Sequence, residues 1–363
     1  MSRAPLWSPH FLDGIGLGGW ARLLSRQRFR VGPRHLPAAL MTTLFAPLNS
    51  ALGVAQSLAF RSRLEAVRID PPPVFVLGHW RSGTTLLHEL LALNPAHTAP
   101  TNHQCLMPKH FLLSGRLSKR LMARLMPAER VMDPMRLGPD SPQEEEFSLC
   151  NLGFRSPYLW IAFPNGGYDT QSEALQELPG AEVTRWTAAY LGFLKSVVLA
   201  APGRLILKTP LNGFRLALLE QMFPDARYVH VTRHPAEVLS STLRTWRALQ
   251  AYHGYQTPRE GGLVPHVLET GLRLHRATAA GQARIPAGRW RNVSYEDLVR
   301  DPHAVVERVY DGLGLGDYAP VAAGVTSYFA ERAGFEPRTR VSDADMEAAR
   351  THWAELFEAG GYV

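Results

Sequence analysis

Two glycines five residues apart, Gly78 and Gly83, separate the apolar run Val74-Phe75-Val76-Leu77 from the segment Thr84 to Leu91. This G-x-x-x-x-G spacing constrains the fold more than any other feature of the chain. A short apolar run bounded by turn residues reads as a strand buried on both faces, and the apolar segment after the second glycine reads as a helix. Strand, glycine loop and helix in that order build a cradle for an anion. The glycines let the chain double back so that amide N–H groups surround the charge, and the helix adds its positive end. Ser82, Thr84 and Thr85 add hydroxyl donors. In loops that hold nucleoside triphosphates a lysine follows the second glycine and reaches the terminal phosphates. Here Thr84 takes that position, which argues against ATP or GTP hydrolysis, and the positive charge stands inside the loop as Arg81.

The same alternation continues down the chain. Leu205-Ile206-Leu207 reads as a second strand, followed by a helical stripe of Leu211, Phe214, Leu218 and Met222. Arg227 to Val231 reads as a third strand, followed by a helix opening at Pro235, a residue favoured in a first turn. Trp290 to Ser294 is a fourth, ahead of a stripe of Val305, Val306, Val309, Tyr310 and Leu313. Strands alternating with helices predict an α/β fold, a P-loop-type central parallel sheet flanked by helices.

With 45% hydrophobic and 20% charged residues in 363, the chain is neither disordered, collagen-like nor a polytopic membrane protein. Its net charge of +7 is carried almost wholly by arginine, since only Lys109, Lys119, Lys195 and Lys208 are lysines. A GC-rich coding sequence and an anionic ligand both account for that bias. Two cysteines, Cys105 and Cys150, make no disulfide framework and fit a reducing compartment. The first thirty residues lack a secretory signal, so a cytoplasmic protein is expected. Leu36 to Phe60 carries no charge and has Arg34, Arg61 and Arg63 on its flanks. Pro37, Pro47, Asn49 and Gln56 argue against a membrane span, so this stretch reads as a buried helix pair or as helices lying on the inner membrane surface. Pro71-Pro72-Pro73 marks a boundary near residue 70, after an N-terminal helical extension.

Arg233 stands at the carboxyl end of the third strand, where open α/β sheets place ligands, and Ser241 follows two helical turns later. An arginine and a hydroxyl so placed can hold one phosphate between them; a surface ion pair is the other reading of Arg233.

Taken together, these segments resemble the sulfotransferases that use 3′-phosphoadenosine 5′-phosphosulfate. Arg81-Ser82-Gly83-Thr84-Thr85 is similar to their 5′-phosphosulfate loop, and Arg233 to Ser241 to their 3′-phosphate element. Leu207-Lys208-Thr209-Pro210 resembles the strand that carries a family lysine on the sulfuryl bridge. Ser294-Tyr295-Glu296-Asp297-Leu298 resembles a Y-E-D-L segment, and Phe335 to Arg340, with Arg338 and Arg340, loosely resembles a late basic loop. Bacterial members reading P-V-F-x-L-G-H-x-R-S-G-T-T and G-P-D-S-P-Q-E-x-E-F are particularly similar, and this chain has both, at Pro73 to Thr85 and Gly138 to Phe147. The resemblance spans about residues 72 to 340 and implies a sulfotransferase domain over 71–363 after a helical region over 1–70. It implies in-line displacement at sulfur: an acceptor hydroxyl attacks, adenosine 3′,5′-bisphosphate leaves, and the loop amides, Arg81 and Lys208 stabilise the growing charge. Tyr295, Arg338 and Arg340 would join the loop, Arg233 and Ser241 around the nucleotide. No metal and no nucleic acid are expected.

The proton acceptor is not carried over by the resemblance. The family's cytosolic branch places a histidine two residues after the lysine, where this chain has Pro210; other branches use a glutamate where this chain reads Thr101-Asn102-His103. Ser141-Pro142-Gln143-Glu144 reads as a helix start with Glu144 in a capping box. On that helix Glu146 falls near the apolar face of Phe147, Cys150 and Phe154, while Glu145 points away. An inward carboxylate is desolvated and made more basic, so Glu146 is the favoured base and His103 the second. The acceptor is a hydroxyl, for which the aromatic- and methionine-rich stretch 101–200 offers either an apolar pocket for a lipid or plain core. A P-loop phosphoryl transferase and a non-catalytic binding module on the same fold are the rival readings.

Overall fold

The computed structural model describes residues 10–126, 138–175, 178–259, 261–331 and 340–362. Helices α1 (Leu17–Arg26) and α2 (Leu36–Ala66) precede strand β1 (Val74–Gly78), helix α3 (Thr84–Ala92) and the short strand β2 (His97–Thr98). Helices α4 (Asn102–Leu106), α5 (Phe111–Leu125) and α6 (Glu146–Leu152) follow. Strands β3 (Arg204–Lys208), β4 (Arg227–Thr232) and β5 (Trp290–Ser294) come later, with the helix Pro235–His253 after β4 and the helix Tyr295–Arg300 after β5.

The chain forms two compact units. One holds residues 1–69, 100–202 and 245–260, the other 70–99, 203–244 and 261–363. The first crossing falls beside Pro71-Pro72-Pro73, as the punctuation there suggests, but 71–363 is not one block, since 100–202 and 245–260 fold with the N-terminal helices.

The second unit contains the sheet. All five strands are parallel, in the order β2-β3-β1-β4-β5. Every residue of β1 is buried, as a strand covered on both faces must be. Val74, Val76, Ile206, Val229 and Val231 share a core with Leu87, Leu90 and Leu91 of α3 and with Val305, Val306, Val309, Tyr310 and Leu313 of the helix Pro302–Leu313. The expected stripe after β3 is broken: a 3-10 turn, Pro210–Phe214, comes before the helix Leu216–Met222, and Leu216 and Leu219 are buried rather than Leu218 and Met222. β2 was not expected; two residues, His97 and Thr98, carry no apolar signal.

In the first unit the charge-free stretch is one 31-residue helix, α2, with Pro47 inside it, rather than a pair. It is not sunk in the core, for its most apolar window is only 22% buried. Its buried residues are Ala39, Thr42, Ala46, Asn49 and Gln56. Thr42 Oγ1 donates to Asp13 Oδ1 at 3.0 Å, Asn49 Nδ2 to the Asp13 carbonyl at 2.7 Å, and Gln56 Oε1 accepts the Leu112 amide at 2.7 Å. Phe111, Met122, Tyr158 and Phe163 are buried in this unit, while Met132 and Met135 lie outside the described residues.

Candidate active site

Strand register brings the predicted anion-binding segments of the second unit to one edge. Val76 of β1 pairs with Lys208, the last residue of β3; Gly78 pairs with Val231 of β4; and Thr232 pairs with Ser294 of β5. The Gly78 loop, Lys208, Arg233 and Tyr295 therefore all leave the sheet at the carboxyl ends of parallel strands. This is where α/β sheets bind ligands.

The loop after β1 has the backbone that its glycines suggest. Gly78 has φ +144° and Gly83 φ +101°, both in the region that favours glycine. A Cβ on Gly83 would lie 2.3 Å from Cδ2 of Tyr295, so the tyrosine ring packs directly on the backbone of the loop. Arg81 also has positive φ, +68°, a conformation costing about 1 kcal/mol outside glycine. It is held from two sides: its Nε donates to Ser241 Oγ at 3.0 Å, and its carbonyl accepts from Arg233 NH1 at 3.3 Å.

The Arg233 side chain is only 8% exposed. Its guanidinium lies over the Tyr295 ring, 4.2 Å from the centroid, and donates to Glu237, Nε to Oε2 at 3.0 Å and NH2 to Oε2 at 2.5 Å. The surface ion pair weighed from sequence thus exists as an i,i+4 contact, on an arginine whose side chain is mostly enclosed and stacked. Burial pushes the Tyr295 hydroxyl to a more basic range, with Arg233 and Arg81 opposing. Ser294 caps the following helix by accepting the Asp297 amide at 3.1 Å, and Glu296 Oε1 accepts the His234 amide at 3.1 Å, fixing Tyr295 beside the loop.

One cation was missed from sequence. Burial, then Arg81, makes the Arg244 guanidinium less basic than usual; Arg233 acts in the same direction and Asp345 opposes. Arg244 is thus a third arginine in the electrostatic neighbourhood of the other two. Its signal was its place one turn after Ser240 and Ser241 on the same helix. Arg244 NH1 and Ser240 Oγ both reach the Arg340 carbonyl, at 3.5 Å. Arg340, the one residue of the late basic segment among those described, is therefore held here by its carbonyl. The Arg340 side chain is exposed, and Arg338 lies outside the described residues.

Ser82, Thr84, Lys208 and Ser241 are buried, and Thr85 is partly so. Ser82 Oγ and Thr209 Oγ1 are buried with no hydrogen-bond partner. A buried hydroxyl without a partner costs roughly 1–3 kcal/mol. Two of them, one inside a glycine cradle and one beside a lysine, fit a ligand rich in acceptor oxygens. Among the described residues no three His, Cys, Asp or Glu side chains come together as a metal site.

Glu146 and His103 belong to the first unit. The acidic segment departs from expectation. No helix starts at Ser141: its Oγ accepts the Gly138 amide at 3.1 Å, Pro142 bridges to Thr101, and α6 begins at Glu146. Glu144 therefore forms no capping box, and its carboxylate accepts the Tyr158 hydroxyl. Glu145 does not point to solvent. Like Glu146 it is fully buried, because α6 is enclosed on nearly every side. Tyr190 Oη donates to Glu145 Oε1 at 3.2 Å and Ser156 Oγ to Glu146 Oε1 at 2.5 Å. His103 is buried, and its Nε2 shares a 2.7 Å hydrogen bond with Ser118 Oγ. Burial, with Lys119 and His110 nearby, pushes its pKa down to about 4.

Comparison with known proteins agrees with this architecture. A family model described as the sulfotransferase family matches residues 72–320. The omega-hydroxy-beta-dihydromenaquinone-9 sulfotransferases of Mycobacterium bovis and Mycobacterium tuberculosis are each 36% identical over 362 residues, covering 99% of this chain and 92% of theirs. The fold is that of a Mycobacterium avium sulfotransferase (TM-score 0.70, 19% identity, 95% of this chain and 92% of that one). A Mycobacterium tuberculosis sulfotransferase is also similar (TM-score 0.60, 18% identity, 94% and 93%). With the family model over the whole sheet-bearing segment and relatives aligned along nearly the full length, the chain belongs to the sulfotransferase family.

Proposed function

We propose that this sulfotransferase uses 3′-phosphoadenosine 5′-phosphosulfate as donor and the hydroxyl of an apolar lipid alcohol as acceptor. The observation that carries the donor reading is the convergence of Arg81, Ser241, Arg233 and Tyr295 around Gly83. Separate elements, each suited to one anion, meet on one loop. A donor with a 5′-phosphosulfate and a 3′-phosphate presents two anionic ends. ATP presents one polyphosphate, and the lysine that would serve it is Thr84 here.

In this reading the loop amides, Ser82, Thr84 and Thr85 hold the phosphosulfate, and Arg233 and Ser241 hold the 3′-phosphate. Lys208 faces the bridging oxygen. The acceptor oxygen forms a bond to sulfur as the bond from sulfur to the phosphate oxygen breaks, and the electron pair leaves with adenosine 3′,5′-bisphosphate. Charge growing on that oxygen is stabilised by Lys208 and Arg81. In this reading the acceptor proton passes to Glu146, a fully buried carboxylate that accepts the Ser156 hydroxyl. His103 is second: it is neutral at neutral pH, but its Nε2 is engaged with Ser118.

The lipid acceptor is supported by the relatives at 36% identity, whose names specify a hydroxylated dihydromenaquinone. The test is donor-dependent sulfation of a hydroxylated prenylquinone set against small polar alcohols, read by mass. Sulfation of the quinone alcohol at the lower acceptor concentration is expected; exclusive sulfation of small polar alcohols overturns the acceptor reading.

A further inference from the structure

Helix α2 is amphipathic the wrong way round for a helix bathed in water. Its inward face is small or polar, Ala39, Thr42, Ala46, Asn49 and Gln56. At about 100° per residue, Leu36, Leu40, Leu44, Leu48, Val54 and Leu58 share the opposite face, and all are exposed, Leu44 at 63% and Leu58 at 76%. The inward polar groups bond along its length to Asp13, Ile15, His110, Leu112 and Leu113. Crossing a bilayer would break those bonds, so α2 lies along its unit.

Helix α5, in the same unit, repeats the pattern. Leu113, Leu117, Leu121 and Leu125 recur every fourth residue and are exposed, Leu117 at 76%. Arg116, Arg120 and Arg124 each precede one of these leucines, so an exposed arginine row runs along the edge of the leucine row. The two helices meet where Gln56 Oε1 accepts the Leu112 and Leu113 amides, at 2.7 and 3.2 Å.

We propose that the outward faces of α2 and α5 dock this unit on an anionic lipid bilayer. An apolar row bordered by arginines suits that surface: the leucines enter the acyl boundary while the guanidinium groups meet phosphate head groups. Ion pairing with the acidic face of a protein partner would not need so many bare leucines, and exposed apolar area on this scale marks an interaction site. The inference rests on the first unit alone and does not require the donor or acceptor assignment.

Flotation of the full chain with phosphatidylcholine vesicles, with and without phosphatidylglycerol, tests it. The chain is expected to float with phosphatidylglycerol vesicles at low salt and to be released as salt rises. Leu117→Glu/Leu121→Glu and Leu44→Glu/Leu48→Glu replace exposed side chains and should each weaken vesicle binding about tenfold or more. Their circular dichroism and thermal unfolding should match those of the parent chain, which checks that the first unit keeps its fold. Arg116→Gln/Arg120→Gln/Arg124→Gln should weaken binding and flatten its salt dependence. No flotation on either vesicle, or equal flotation of the leucine variants, overturns the proposal. So does a dimer in sedimentation velocity that the leucine variants dissolve while vesicles are ignored, for then a second copy covers these faces.

Discussion

Arg81 and Ser241 lie 160 residues apart in the chain and are joined by a 3.0 Å hydrogen bond from Arg81 Nε to Ser241 Oγ. That bond ties the loop after β1 to the helix after β4. It also secures Arg81 in a left-handed conformation, so the loop is shaped in part by the element that would hold the donor's far phosphate. Ser241→Ala removes both effects. It is expected to weaken adenosine 3′,5′-bisphosphate binding about tenfold to a hundredfold, the scale of one hydrogen bond to a charged group, as read by calorimetry. Unchanged affinity would mean that Ser241 only positions the loop.

Arg233→Ala and Lys208→Ala should separate binding from turnover. Arg233 faces charge present before reaction, so its loss should chiefly raise donor KM. Lys208 faces charge that grows in the transition state, so its loss should lower kcat roughly 10²- to 10³-fold. An intact kcat in Lys208→Ala would refute the role given to it.

Gly83→Ala tests the packing of Tyr295. The new Cβ falls 2.3 Å from the ring and requires φ +101° of an alanine. The ring must move from beneath Arg233. A stability loss of about 1–3 kcal/mol and a matching loss of nucleotide binding are expected from denaturation and calorimetry. Full binding would show that the stacked pair is dispensable.

Glu146→Gln keeps shape but takes no proton, and should cut kcat about a hundredfold or more with donor affinity kept. Because Glu145 is equally buried, Glu145→Gln is the necessary control. His103→Ala should retain most turnover. The opposite pattern transfers the role to His103.

Acid should destabilise the fold through its histidines. Burial pushes His79, His103, His230, His253 and His266 down to about 4 from the usual 6.5. Between those values the unfolded chain binds protons that the folded chain refuses, so stability rises with pH across that window and is lost as pH falls through it. Asp13, raised to about 6 by burial, acts in the opposite direction over part of the same window. Denaturant midpoints should fall steeply from pH 6.5 toward 4; a flat profile would contradict the burial of these rings.

The sheet was legible because parallel strands covered on both faces read as continuous apolar runs, as Val74 to Leu77 does. The grouping of the glycine loop, Lys208, Arg233 and Tyr295 at one sheet edge was legible because their positions follow from strand ends. Arg244 was not, since Arg81, the charge nearest to it in effect, is remote in sequence, and its place one turn after Ser241 was the lone signal. Glu145 was misplaced because helical periodicity presumes one wet face, and α6 has almost none. The orientation of α2 was also hidden. Thr42, Asn49 and Gln56 face inward because Asp13, His110 and the amides of α5 satisfy them, partners that are not visible in the sequence.

The glycine cradle is expected to take a nucleotide carrying phosphates at both the 3′ and 5′ positions. Thermal unfolding of the full chain with adenosine 3′,5′-bisphosphate or with ATP and magnesium reads this directly, because a ligand bound only to the folded state raises Tm with its concentration. A rise with the bisphosphate, much smaller with ATP and lost in Arg233→Ala, is predicted. Equal rises with both nucleotides, or none with either, would contradict it.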